Sequence, residues 1–137
     1  MNKIKYNSDV MKLITLFESM TGAKVKDCIS NENLTFIIEE NDMGKAIGKN
    51  GANIKRMENV LKKKIKLVEF SKDAAQFVRN MIYATEISDI KINGNTIIIH
   101  GKDTNSKAKI IGRDRQNINH LKSIVTRYFD VKEIKVV

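Results

Sequence analysis

The sequence predicts an α+β protein in which one small helix-and-sheet unit is used twice. Three observations lead to that expectation. The run Ala46-Ile47-Gly48-Lys49-Asn50-Gly51-Ala52-Asn53-Ile54-Lys55 returns 64 residues later as Ile110-Ile111-Gly112-Arg113-Asp114-Arg115-Gln116-Asn117-Ile118-Asn119, and self-similarity of this kind marks a repeated module. Around each run the apolar residues follow the same succession of periods, helical, alternating, helical and alternating again. The chain of 137 residues is 42% hydrophobic and 30% charged, enough for one ordinary domain or two small ones with their own cores. Helices beside a three-stranded sheet in each half give the α+β class. The expected order is αββααβ in residues 1–71 and again in residues 72–137.

In the first half, Val10, Leu13, Ile14 and Phe17 fall at i, i+3, i+4 and i+7, one apolar face of a helix, with Ser8 to cap its start and Gly22 to end it. Two alternating runs follow, joined at Asn31-Glu32-Asn33, the second carrying Leu34, Phe36 and Ile38. A short helix leads into the loop Gly48–Gly51. A basic helix comes next with Ile54, Met57 and Leu61 inward, and Ile65, Leu67 and Phe70 mark a closing strand. The second half repeats this. Ala74, Phe77, Val78 and Met81 form the helical stripe behind a Ser71 cap, and Asn93-Gly94-Asn95 reads as a hairpin turn. At an offset of 62, Thr96, Ile98 and His100 match Leu34, Phe36 and Ile38. Ile118, Leu121 and Val125 line the basic helix, and Val131, Ile134 and Val136 the last strand. Asp42 and Asp103 stand where caps for the short helices are expected. The short junction at 70–73 and the absence of proline exclude a flexible tether, so the units are expected to dock rigidly and share one ligand strand.

The net charge of +9 and a pI near 9.7 point to a polyanionic partner. Placement of the charge says more. Residues 43–66 hold Lys45, Lys49, Lys55, Arg56, Lys62, Lys63, Lys64 and Lys66 against Glu58 alone. Residues 102–127 hold Lys102, Lys107, Lys109, Arg113, Arg115, Lys122 and Arg127 against Asp103 and Asp114. Each basic window surrounds one glycine loop and reads as a phosphate-facing patch. Gly48 and Gly51 allow a tight turn and let the main chain approach a phosphate with no Cβ between them. The helix that follows directs N–H groups and the positive end of its dipole at the same place. Lys49, Lys55 and Arg56 lie near enough for phosphate contact, whereas Lys62-Lys63-Lys64 is explained equally by a helix C-terminus. Ile47 and Ile54 either floor an apolar groove or belong to the core, and Asn53 either faces a base edge or caps its helix. In the second loop Arg115 replaces the second glycine. If that position needs a positive φ, Arg115 carries strain on the order of 1 kcal/mol. Either Arg113 and Arg115 offset Asp114 through charge-assisted phosphate contacts, or the second unit serves only as a docking partner.

Other chemistries find little support. Gly44-Lys45-Ala46-Ile47-Gly48-Lys49-Asn50 has one residue too few between its glycines for a P-loop, and Asn50 stands where magnesium needs Ser or Thr. His100 and His120 have no ligands at metal spacing, and no nucleophile–base pair is visible, so neither a metal, a cofactor nor catalysis is expected. Cys28, the single cysteine, reads as an apolar filler in a strand. The N-terminus lacks the apolar run of a signal peptide and no stretch approaches a membrane span, so a cytoplasmic protein is expected. The aromatic residues are Tyr6, Phe17, Phe36, Phe70, Phe77, Tyr83, Tyr128 and Phe129, and most of them sit at periodic apolar positions. They read as core rather than as stacking platforms for bases.

An apolar residue, then G-x-x-G, then a basic amphipathic helix is similar to the loop of a KH module, which clamps single-stranded nucleotides by their backbone. The order of elements is that of type II, or prokaryotic, KH domains. On Ala46 to Ile54 and on Ile111-Gly112-Arg113-Asp114-Arg115-Gln116-Asn117-Ile118, the chain resembles the tandem KH portion of the NusA family of transcription factors, in particular its short archaeal NusA-like members. The resemblance covers essentially all of residues 1–137 and implies KH domains over 1–71 and 72–137. It implies RNA contact by Ile47, Gly48, Lys49, Asn50, Gly51, Ala52, Asn53, Lys55 and Arg56 in the first unit. In the second it implies Ile111, Gly112, Arg113, Arg115, Gln116 and Asn117. Single-stranded RNA is the expected partner of a non-catalytic monomer acting in transcription elongation or termination. RNA polymerase is a further implied partner. The polymerase-binding and S1 domains of longer bacterial members have no counterpart here, which counts against direct polymerase contact. A ribosomal RNA maturation factor and an interaction scaffold that has lost RNA are the competing readings. The intact Gly48–Gly51 loop weighs against the scaffold.

Overall fold

The computed structural model describes residues 8–30, 33–82 and 87–137, in two compact units divided between Ser71 and Lys72. Tyr6, Asn31, Glu32 and Tyr83 lie outside the described residues, and the Ser8 cap lies outside the described side chains.

The first unit runs α1 (Ser8–Thr21), β1 (Val25–Ser30), β2 (Leu34–Ile38), α2 (Met43–Ile47), a 3₁₀ turn (Lys49–Gly51), α3 (Ala52–Leu61) and β3 (Ile65–Glu69). Strand β2 is central, antiparallel to β1 and parallel to β3. The α1 stripe turns Phe17 into a core where its ring stacks on Phe36 at 4.3 Å, with Val10, Leu13 and Ile14 packed around it. Met57 of α3 and Ala46 of α2 close the same core. Burying a side chain such as Phe17 or Met57 contributes roughly 1.5–3 kcal/mol. Two helix ends are tied down alike. Helix α1 ends at Gly22 (φ 78°), and the Glu18 carboxylate accepts from the Val25 N–H at 2.9 Å. Helix α3 ends at Lys62 (φ 57°), and the Glu58 carboxylate accepts from the Ile65 N–H at 3.0 Å. A glutamate in the last turns thus holds the first N–H of the next strand.

The second unit runs α4 (Ala74–Met81), β4 (Ile87–Asn93), β5 (Thr96–Gly101), α5 (Thr104–Ile111), a 3₁₀ turn (Arg113–Arg115), α6 (Gln116–Tyr128) and β6 (Glu133–Val136), with the same mixed pairing about β5. Phe77 meets Tyr128 edge-on at 5.8 Å and Phe129 at 5.7 Å. Ile118, Leu121, Ile124 and Val125 of α6 are buried.

Several local expectations need correction. Helix α4 is capped by Asp73, whose carboxylate accepts from the Ala75 N–H at 3.1 Å, and Ser71 lies outside the helix. Asp42 occupies the position before α2, but its carboxylate accepts from the Lys24 N–H at 2.8 Å instead of capping. Asp103 does cap α5, accepting from the Ser106 N–H at 2.8 Å, a bond that holds its carboxyl below the usual range. In the second hairpin Asn93 pairs with Thr96, leaving Gly94 (φ 61°) and Asn95 as the two turn residues. The largest correction concerns β5. Ile97 and Ile99 are fully buried, while Thr96, Ile98 and His100 are half-buried. The β-bulges confirm the shift: Val25 pairs with Ile38 and Ile87 with Gly101, so β2 matches β5 at an offset of 63. A slip of one residue exchanges the two faces of a strand.

Candidate nucleic-acid interface

Helix α2 stops because Gly48 turns to φ 75°, ψ 172°, its N–H still bonded to the Gly44 carbonyl at 2.9 Å. One tight turn follows, closed by the Gly51 N–H on the Gly48 carbonyl at 3.2 Å. Asn50 (φ 56°) and Gly51 (φ 75°) are both left-handed, and α3 starts directly after them. No side chain caps α3. Its first turn therefore presents N–H groups and the positive end of its dipole where an anion can meet them. Lys49, Asn50, Ala52, Lys55 and Arg56 are exposed around this point, and Ile47 beside it is 37% exposed. Gly48, Gly51, Asn53 and Ile54 are half-buried.

The second loop reproduces this backbone. Gly112 has φ 76°, ψ 169°, and the Arg115 N–H bonds the Gly112 carbonyl at 3.2 Å. Asp114 (φ 53°) and Arg115 (φ 63°) hold the left-handed conformations of Asn50 and Gly51. The missing glycine therefore leaves the shape unchanged, and Arg115 bears a left-handed cost of about 1–2 kcal/mol. Asp tolerates this region better, because its short side chain bonds locally. Helix α6 is likewise without a side-chain cap. Arg113, Arg115, Gln116 and Asn117 are exposed, while Ile111 and Gly112 are half-buried. Lys49, Lys55, Arg56, Arg113 and Arg115 make no ion pair among the described residues, which leaves their charge for an external anion.

The glycines differ in what they do. A Cβ at Gly48 would stand 2.7 Å from Asn53 Cγ and 2.9 Å from the Asn53 backbone nitrogen, and one at Gly112 would stand 2.6 Å from Asn117 Cγ. A Cβ at Gly51 would meet nothing within 4 Å. The first glycine of each loop is required by contact, the second by backbone conformation alone, which is why arginine can stand at position 115. The same contact answers where Asn53 points. Its Nδ2 donates to the Lys45 carbonyl at 2.8 Å, and Asn117 Nδ2 donates to the Lys109 carbonyl at 2.9 Å. Each asparagine amide nitrogen is turned back across the glycine onto the preceding helix, and neither side chain caps the helix that follows. The sequence signal was an asparagine five places after the first glycine in both copies. The carbonyl that receives it is invisible in sequence.

The remaining polar candidates stay apart from the loops. His100 lies on β5 and His120 on α6, and no group of three or more His, Cys, Asp or Glu among the described residues could hold a metal ion. Burial, with a smaller contribution from Asp27, pushes the Cys28 thiol up to about 11, so it is an inert strand residue. No helix among the described residues is long and apolar enough to cross a membrane.

A KH-domain family model matches residues 13–72. The chain is 38% identical over 139 residues to a Methanococcus vannielii protein named probable transcription termination protein NusA, covering 98% of this chain and 80% of that one. A Thermoplasma acidophilum protein of the same name is 31% identical over 140 residues, covering 99% of this chain and 97% of that one. In a crystal structure, APE1850 shares the fold with a TM-score of 0.74 at 24% identity, over 96% of this chain and 100% of that one. The match to KH domains covers the first loop, and the alignments with the archaeal relatives run on through the second. The chain belongs to the archaeal NusA-like family of KH-domain proteins.

Proposed function

We propose that the chain is a non-catalytic factor that holds single-stranded RNA on its two loops and acts in transcription termination or elongation. We propose further that residues 1–71 and 72–137 are both KH domains of type II. The observation that carries this reading is the duplicated uncapped helix N-terminus behind a left-handed loop, flanked by Lys49, Lys55, Arg56, Arg113 and Arg115, which make no ion pair among the described residues. The type II reading is supported by the αββααβ order and by a central strand antiparallel to one neighbour and parallel to the other in each sheet. The KH match supports RNA as ligand, and the relatives' names support the transcriptional role.

On this reading a phosphate sits against the first turn of α3, where N–H groups, helix dipole and Lys49 act together. Lys55 and Arg56 meet the neighbouring phosphates, and Ile47 offers an apolar surface to a base. The second loop offers the same main-chain turn, with Arg113 and Arg115 in place of backbone approach. Lys49→Asp combined with Asn50→Asp tests the first loop. Two acids at the phosphate position should weaken binding of a short single-stranded RNA by about tenfold or more, since a charge-assisted contact contributes roughly 1.5–3 kcal/mol. Circular dichroism should be unchanged, because both side chains are exposed. Unaltered affinity in a folded double variant would remove the first loop from the site. An absence of RNA binding by the unsubstituted protein would favour the interaction scaffold.

A further inference from the structure

We propose that Asn53 and Asn117 are positioning residues that set each loop against the helix behind it, so that the main-chain N–H groups are arranged for phosphate before RNA arrives. The inference rests on the RNA-binding reading above and gives Asn53 and Asn117, which the resemblance implies as RNA contacts, a role behind the loop instead. Three features of the structure support it. Each asparagine amide donates to a carbonyl of the preceding helix, Lys45 at 2.8 Å and Lys109 at 2.9 Å. Helix α2 is only five residues long, so its last carbonyls lack helical partners, and the amide takes one of them. The bridge spans eight residues of chain and crosses under Gly48 or Gly112 so closely that no Cβ fits between.

The arrangement is the same in both units although the loops differ at three of their four positions, Lys49-Asn50-Gly51 against Arg113-Asp114-Arg115. Its retention beside a changed loop sequence separates it from the phosphate contacts themselves. A loop in which two consecutive residues are left-handed has alternatives of lower backbone energy, most of all in the second unit, where neither is glycine. A bond anchored outside the loop holds it against those alternatives. Preorganisation of this kind lowers the ordering cost of binding without adding a contact to the ligand.

The test is Asn53→Ala and, separately, Asn117→Ala in the full chain, with a fluorescein-labelled single-stranded RNA ten-mer as probe. Asn53→Ala should weaken binding by about fivefold, the worth of one ordinary hydrogen bond. The slope of log K against log salt should stay at the wild-type value, because no phosphate contact is lost. Lys49→Ala, by contrast, should lower affinity and flatten the slope together. Backbone amide resonances of residues 48–52 should shift and sharpen in Asn53→Ala without RNA, while those of the β-strands stay in place. Should Asn53→Ala fail to fold, Asn117→Ala carries the test through residues 112–116. A folded Asn53→Ala protein with wild-type affinity, or one whose salt slope falls as in Lys49→Ala, would overturn the proposal while leaving RNA binding intact. If the unsubstituted protein binds no RNA, the functional reading fails and this inference with it.

Discussion

Gly48→Ala and Gly51→Ala should separate two reasons for a glycine that the G-x-x-G pattern leaves merged. Both residues have φ 75°, so either substitution bears the left-handed cost of about 1–2 kcal/mol. At Gly48 the new methyl must also displace Asn53, including a backbone nitrogen that cannot rotate away. Gly48→Ala should therefore destabilise by about 2–4 kcal/mol in denaturant unfolding and Gly51→Ala by about half as much. Equal losses would mean that the close approach to Asn53 is not a constraint. At this scale the loop residues themselves were legible, since Gly48, Lys49 and Arg113 declare their chemistry by type and spacing. The direction of the Asn53 side chain was not. An asparagine can donate or accept, outward or inward, and only the position of the Lys45 carbonyl decides between them.

Among the elements, the helices follow from their stripes, and the structure departs from the pattern at helix ends and in strands. Ser71 and Asp73 are both good capping types, and helix boundaries drift by one or two residues when judged by pattern. The structure selects Asp73, so Asp73→Ala should cost about 1 kcal/mol of stability in urea unfolding and Ser71→Ala less than about 0.5 kcal/mol. The reverse order would move the start of α4. Strand β5 runs in the opposite phase to the one the offset of 62 predicts, because Ile97, Ile98 and Ile99 are all apolar and alternation carries no information there. The register comes from long-range pairing, Ile99 beside Val136 and Ile97 beside Ile134, and from the bulge between Ile87 and Asp89. In the first unit the alternation is no clearer, since all five residues of β2 are buried. There Leu34, Phe36 and Ile38 take the core side by meeting Ile65 and Leu67 across the sheet and Phe17 on α1.

For the whole molecule, the placing of 15 of the 25 basic residues in two windows around the loops predicts a salt-dependent affinity. Each neutralised phosphate on a single strand contributes about −0.7 to the slope of log K against log salt, so roughly three to six contacts give about −2 to −4. A flat series in filter binding would contradict the patches. Arg115→Gly then asks whether the second loop takes part. Relief of the left-handed strain, less the entropy a glycine adds to the unfolded chain, should raise stability by about 0.5–1 kcal/mol. Loss of its cation should shrink the slope by about 0.7 and weaken binding. Higher stability with no change in slope would leave the first loop as the only clamp. The sequence by itself determined the repeat, the succession of elements, the inward faces of α1, α3, α4 and α6 and the position of both loops. These are local properties, carried by periodicity within a dozen residues, by glycine at a turn and by charge clustering. Only the tertiary structure decided the phase of β5, the diversion of Asp42 to Lys24 and the asparagine bridges beneath Gly48 and Gly112. Each of those depends on which groups from separate elements come within bonding distance, and a buried polar group or strand face commits to a partner only when that partner arrives.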